Sequence, residues 1–575
     1  MALTRHKCGL LLQRRSAIML ATSAGITHSA PSDVQQFVRE FGCQLHIGCM
    51  PLLGASLGDD DAARAQLLAV NVANRHAAYF DILQRPHTRG GFKPHHAFQL
   101  LRVSAVPRLN YALRTLPPNV TTATACYFDT AVQRVLQGLL CRHQPISRAA
   151  RAVAQLPLTA GGLGLRCQAD AAPAAYLGAV ALAVAHASAE AKTHVDQRFL
   201  ASIEDSLVRL RAGGVRDVLV TLSGGDDIKA RDRAIARCDG SEHFVAHYGA
   251  VEPHVVADMH VQRALTRALD RATKDNLRDV VGRDGDVEEL KARLRSAAGR
   301  AASLWLQPLA TFRQALLSPV VFARALRQRL GLNPFDADVA CICGTAICDD
   351  REGWLHAQTC VKLRRIAGDA RHRCVLDTLA RVARAAGMDA VVEYQPQPPQ
   401  RNPSDVAAGD GARSAAGAGG GLPAVDPADA DELDRKRPDL KLFGSGEDIL
   451  SDVCITNPSC ATYRHGASTT ANHAAALLER RKTLKYKAIA ERERVQFLPA
   501  VVEAYGAFGD GITDLIEKLS KHRAEHCDAA GVIPAYHFRA WATAAVAASA
   551  QRGHSMMVDV AFRHIRRNAR GARRL

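Results

Sequence analysis

The chain lacks any apolar run long enough to cross a bilayer. Its most apolar stretch, Ala174 to Ala185, falls well short of the roughly 20 residues a spanning helix needs and reads as a buried helix. It lacks acid relative to base, with 57 Asp and Glu against 74 Lys and Arg, for a formal net charge of +17. That balance points to an anionic partner, nucleic acid first; with no spanning run, no membrane partner is expected. It lacks a disulfide framework, because its fifteen cysteines are odd in number and scattered except for the cluster from Cys341 to Cys374. This pattern suits a reducing compartment with one local metal site. The first 25 residues hold no acid, which fits either a presequence or a chain that enters in mid-domain; we expect the second.

What is present is enough for several domains. The chain has 575 residues, 47% of them hydrophobic and 23% charged, a globular composition with room for real cores. Helical spacing of Val132, Val135, Leu136, Leu139 and Leu140 predicts a helix over Ala131 to Cys141. Gly-punctuated segments surround it: Leu53 to Gly58 before Asp59-Asp60-Asp61, Pro107-Arg108-Leu109-Asn110-Tyr111, and Gly161-Gly162-Leu163-Gly164-Leu165-Arg166. From Ala189 to Asn276 the pattern is weak, and its histidines are read as structural or exposed. Asp284 to Leu332 is strongly helical.

The chemistry-bearing residues lie further on. Apolar runs Leu440 to Phe443 and Ile449 to Thr456 flank Gly444-Ser445-Gly446, which predicts a β-hairpin. Pairing about that turn sets Asp439 and Asp452 on neighbouring strands within about one register step. A helix over Ala474 to Arg492 carries Glu479, Lys482, Lys485 and Tyr486. Two carboxylates beside a lysine can hold Mg²⁺ or Mn²⁺ and position a water against phosphate; the plainer alternative is a surface hairpin with solvated aspartates. Val391 to Tyr394 reads as a preceding strand with Glu393 near the pair, and 396–432 as a flexible insertion. Cys341-x-Cys343-Gly344 is followed by His356 and, with three residues between, Cys360, which can close a tetrahedral zinc site. A set using Cys343, Cys348, His356 and Cys360 is also feasible by spacing. Such an ion would carry on the order of 10 kcal/mol of local folding energy. Arg371 and Arg373 lie on a basic helix after this cluster, and Arg563, Arg566, Arg567 and Arg570 crowd the end of the chain. Both groups are candidates for phosphate contacts or simply solvated faces.

Arg437-Pro438-Asp439, Asp452-Val453 and Glu479-x-x-Lys482-x-x-Lys485-Tyr486 resemble the restriction-like endonuclease of site-specific non-LTR retrotransposons, a relative of the PD-(D/E)XK nucleases. No lysine stands two residues after Asp452. In this family the following helix provides it, which implies Lys482 or Lys485, with Glu479 and Tyr486 in support. Cys-x-Cys-Gly with His-Ala-x-x-Cys is that family's knuckle, which favours Cys341 over Cys348. The earlier Gly-rich motifs resemble the end of the same proteins' reverse transcriptase, yet the chain has no Tyr/Phe-Ala-Asp-Asp, so no polymerase activity is expected. The resemblance implies an α+β, mostly α-helical protein. Its parts would be a thumb-like region (1–188), a helical linker (189–335), a knuckle with basic helix (336–388), a nuclease core (389–528) and a terminal basic helix (529–575). The function it implies is that of a truncated retroelement protein that nicks DNA to prime reverse transcription. Element RNA and a polymerase-competent chain would be further partners, and the nucleus its location. The rival is a nucleic-acid-binding remnant without catalysis.

Overall fold

The protein is described by a computed structural model covering residues 60–85, 90–141, 145–188, 195–223, 232–284, 286–299, 301–307, 315–334, 339–341, 343–347, 350–395, 437–444, 448–526 and 535–572, with short strands between residues 9 and 58. The insertion 396–432 lies outside the described residues. The chain is α+β and mostly helical. It divides into two compact units, residues 1–158 with 162–285, and residues 159–161 with 286–575. The division falls at 285/286, inside the segment the sequence assigns to a linker.

In the first unit, helix α1 (Asp61–Gln84) begins where the triple aspartate predicts a helix start: the Asp60 carboxylate accepts from the Ala62 and Ala63 amides. It packs on α2 (Pro118–Leu139), whose buried face includes Val132, Val135, Leu136 and Leu139. Helix α3 (Arg148–Gln155) follows. Then the Gly-Gly-Leu-Gly-Leu-Arg motif turns the chain, with the Gly164 amide donating to the Leu156 carbonyl, into α4 (Gln168–His186). This helix runs longer than the sequence stretch suggests. At 19 residues it is long and apolar enough to span a bilayer, but 56% of its apolar window is buried. It is the hub of the unit, with α2, α5 (Gln197–Ala212) and α6 (Val261–Asp284) packed around it. No cap residue of its own serves its start. Instead the buried Asp129 carboxylate of α2 accepts from the Gln168 amide at 2.8 Å and the Ala169 amide at 3.0 Å, satisfying donors that a helix start leaves open.

The second unit is built on a four-stranded sheet in the order β1 (Asp389–Val392), β2 (Leu440–Phe443), β3 (Ile449–Thr456), β4 (Gln496–Glu503). The first two pairings are antiparallel and β3–β4 is parallel. Only a crossover can join parallel neighbours, and α11 (Ala461–Thr469) with α12 (His473–Glu493) makes it. The inner strands lack strict alternation: Ile449 to Val453 are all buried, because helices cover both faces. Helix α10 (Val361–Ala385) packs on β1, β3 and the last helix, α14 (Ala535–Ala572). Helix α13 (Asp510–His526) lies on β4. Helix α7 (Val287–Ala298) docks on α11 through Asp286–Arg464 and Glu288–His465 ion pairs, and α8 (Pro319–Leu330) packs on α14.

Candidate metal and acidic centres

The β2–β3 register pairs Leu440 with Ser451, so Asp439, one residue before β2, falls opposite Asp452. Asp452 is 3% exposed. Its Oδ2 pairs with Lys482 Nζ, and its Oδ1 accepts from the Tyr486 hydroxyl at 2.5 Å. Both donors come from α12, one turn apart, so the crossover helix lays a cation and a phenol on the same carboxylate. Asp439 Oδ2 accepts from the Val453 amide at 2.7 Å and meets His372 Nε2 of α10 at 2.9 Å.

The charges follow from these contacts. Burial alone would lower the Lys482 ammonium, but the hydrogen bond and charge of Asp452 outweigh it and hold it above the ordinary lysine range. The hydrogen bond to Asp439 raises His372 despite partial burial. Burial first, and then Asp452, pushes the Tyr486 phenol up, so it stays a donor.

Of the other residues singled out in the helix, Lys485 does not reach the acidic pair. Its Nζ donates to the Tyr486 oxygen at 2.9 Å and sits 4.5 Å from that ring's centre. Glu479 is turned away: its Oε1 accepts from the Gly511 amide at 3.0 Å, capping α13, and burial raises its carboxyl. A Cβ on Gly509 would lie 2.1 Å from that oxygen, so the turn before α13 needs glycine to admit the cap. The Glu393 side chain pairs instead with Arg373 at 3.0 Å.

His372 is the residue that sequence reasoning missed. Its signal was the apolar stripe of α10, where Val375, Leu376, Leu379 and Val382 are buried; continued back one turn, that stripe reaches position 372. Arg371, expected among the phosphate contacts, lies on the same helix. Its guanidinium is enclosed, donates to the Ile455 carbonyl at 3.3 Å, and is lowered to about 10 by desolvation. Lys362, Arg364, Arg365, Arg373 and Arg563 are exposed; the side chains of Arg566, Arg567 and Arg570 lie outside the described residues.

The second cluster is built by two short paired strands, Val339–Ala340 and Ala346–Ile347, and helix α9 (Asp350–Thr359). The turn between the strands closes when the Gly344 amide donates to the Cys341 carbonyl, with Gly344 at φ 99°. His356 sits in the last turn of α9, and Cys360 follows as the start of α10. The ligating atoms of Cys341, Cys343, His356 and Cys360 all lie within 4.8 Å of one another, with Cys341 and Cys360 sulfurs 3.8 Å apart and Cys343 Sγ 3.3 Å from His356 Nε2. Three sulfurs and an imidazole nitrogen at this spacing can bind a metal such as zinc. Cys348 lies outside the described residues. Burial raises the Cys341 thiol to about 12. Cys343, where burial works the other way but hydrogen bonding to Thr345 prevails, is lowered to about 6.

No family model matches the chain. A segment of 79 residues, 14% of the chain, is 34% identical to the retrotransposable element SLACS 132 kDa protein of Trypanosoma brucei gambiense. Part of this chain is related to a retrotransposable-element protein. The match covers 6% of that protein's length.

Proposed function

We propose that this retroelement-related chain is a metal-dependent DNA-nicking endonuclease. One observation carries the reading. Asp439 and Asp452 stand opposite each other in the β2–β3 register, and Lys482, from the helix that follows, lies on Asp452. Hard carboxylate oxygens beside a fixed ammonium suit Mg²⁺ or Mn²⁺ and a phosphodiester. The strand order, with its antiparallel pairs and helical crossover to a parallel strand, is in keeping with a PD-(D/E)XK-like core.

Asp439 and Asp452 would hold the cation, which when bound polarises the phosphate and lowers the pKa of a water. Lys482 stabilises charge developing on the phosphate or orients the water. Tyr486 fixes Asp452, Lys485 acts through Tyr486, and His372 fixes Asp439. The Cys₃His cluster would hold structural zinc, because four protein ligands leave no position open for water. DNA is then the substrate, with nuclear residence following from it. Element RNA and a polymerase are the partners that a nick priming reverse transcription requires. The exposed Lys362, Arg364 and Arg365, just past the cluster, supply phosphate contacts.

One observation favours a binding remnant without catalysis: both oxygens of Asp452 are already engaged, as in a structural ion pair. Supercoiled plasmid incubated with the chain, in Mg²⁺ and in EDTA, decides between them. Nicking that needs the cation and is lost in Asp439→Asn/Asp452→Asn, with DNA affinity within about twofold, supports the nuclease. Salt-steep binding with no nicking in any metal supports the remnant.

A further inference from the structure

The first unit contains a cavity of about 770 Å³ that plays no part in the proposed nuclease. Four arginines, Arg148, Arg151, Arg166 and Arg209, stand in its wall against two aspartates, Asp170 and Asp270. Two of the arginines are held in place. Arg166 Nη2 meets both oxygens of Asp270, at 3.0 and 2.8 Å. Arg209 donates to Asp205 Oδ2 at 2.8 Å and to Thr122 Oγ1 at 3.1 Å. The other two are one turn apart on α3, at i and i+3, so they share a face. Both are exposed and make no ion pair with any described residue.

Arg166 is spent on Asp270 and Arg209 on Asp205, which leaves Arg148 and Arg151 with the exposed Asp170, so the lining keeps a small net positive charge. Guanidinium forks match phosphate oxygens two at a time. The space greatly exceeds one phosphate and falls within the size range of small-molecule sites. Apolar side chains from α6, Leu269 and Leu277, complete the wall and offer a surface for a base or sugar.

We propose that this cavity binds a phosphate-bearing nucleotide, either free or as one unit of a single strand. Arg148 and Arg151 take the phosphate, and Arg166 and Arg209 hold the shape of the site.

The test uses the full chain and two fluorescent probes, a methylanthraniloyl nucleoside triphosphate and a labelled twelve-nucleotide oligo(dT), read by anisotropy. Arg148→Glu/Arg151→Glu is compared with Arg216→Glu/Arg237→Glu, which makes the same change of net charge at exposed positions outside the lining. The first pair should weaken at least one probe by about tenfold, while the second leaves both within about twofold. Loss confined to the oligonucleotide assigns a strand; loss of the triphosphate assigns a free nucleotide. Phenylglyoxal labelling read by mass spectrometry gives an independent check, since bound probe should protect Arg148 and Arg151. Equal effects of the two variant pairs, or no protection of these arginines, overturns the proposal.

Discussion

At Asp452 a lysine and a phenol converge, and the two lysines of α12 separate by what they touch. Lys482 meets the carboxylate itself, whereas Lys485 reaches only the Tyr486 oxygen. Lys482→Ala should therefore cut the rate of nicking by about 10²–10³, with Lys485→Ala costing far less, both at unchanged oligonucleotide affinity. Equal losses for the two would remove Lys482 from its assigned role. The opposition of Asp439 and Asp452 was legible because two apolar runs flanking a Gly-Ser-Gly turn mark a hairpin, and the turn sets its register. Glu479 and Arg371 were not. Glu479 finds its partner on a helix 32 positions away, and Arg371 looks like any other arginine of a basic helix until α14 packs over it. Sequence spacing shows which residues share a face and is silent on what closes over that face.

Among the elements, the Cys₃His cluster shows how little local structure can support a site. Two strands of two residues each and one short helix bury little apolar surface, so a metal ion bound there would carry the local fold. Chelator treatment should release close to one zinc per chain and open this element, increasing hydrogen exchange across residues 339–360 while strands β2 to β4 stay protected. Cys341→Ser should reproduce that pattern without chelator. Zinc retained in the variant would point to a different ligand set. Spacing alone marked the cluster, with five candidate donors confined to twenty residues, but it did not choose between Cys341 and Cys348. It left the start of α4 unmarked, since its cap comes from Asp129, 39 positions upstream.

For the molecule as a whole, the arrangement least visible in the sequence is the burial of positive groups under α14 in the second unit. His554 is enclosed, its Nδ1 is 2.8 Å from the Ala550 carbonyl, and desolvation, reinforced by the nearby Arg371, lowers it from 6.5 to about 3. Nothing local in an Ala-rich helix marks this histidine as different from an exposed one. The consequence is a definite dependence on pH. Between 6.5 and 3 the unfolded chain takes up a proton that the folded chain refuses, so the stability present above 6.5 is lost as pH falls. By pH 5 the loss from this one group reaches about 2 kcal/mol. Glu479 and Glu503, whose carboxyls burial raises, work in the opposite sense, since the folded state holds their protons more tightly and gains stability as pH falls through their range. A melting curve of the wild type alone therefore mixes the two effects. The comparison that isolates the histidine is His554→Gln, which fills similar space and does not titrate. Its melting temperature should fall distinctly less than that of the wild type between pH 7 and pH 5, whatever the starting stability of either. Parallel slopes would mean that His554 is protonated in the folded chain, and that α14 leaves it a path to water.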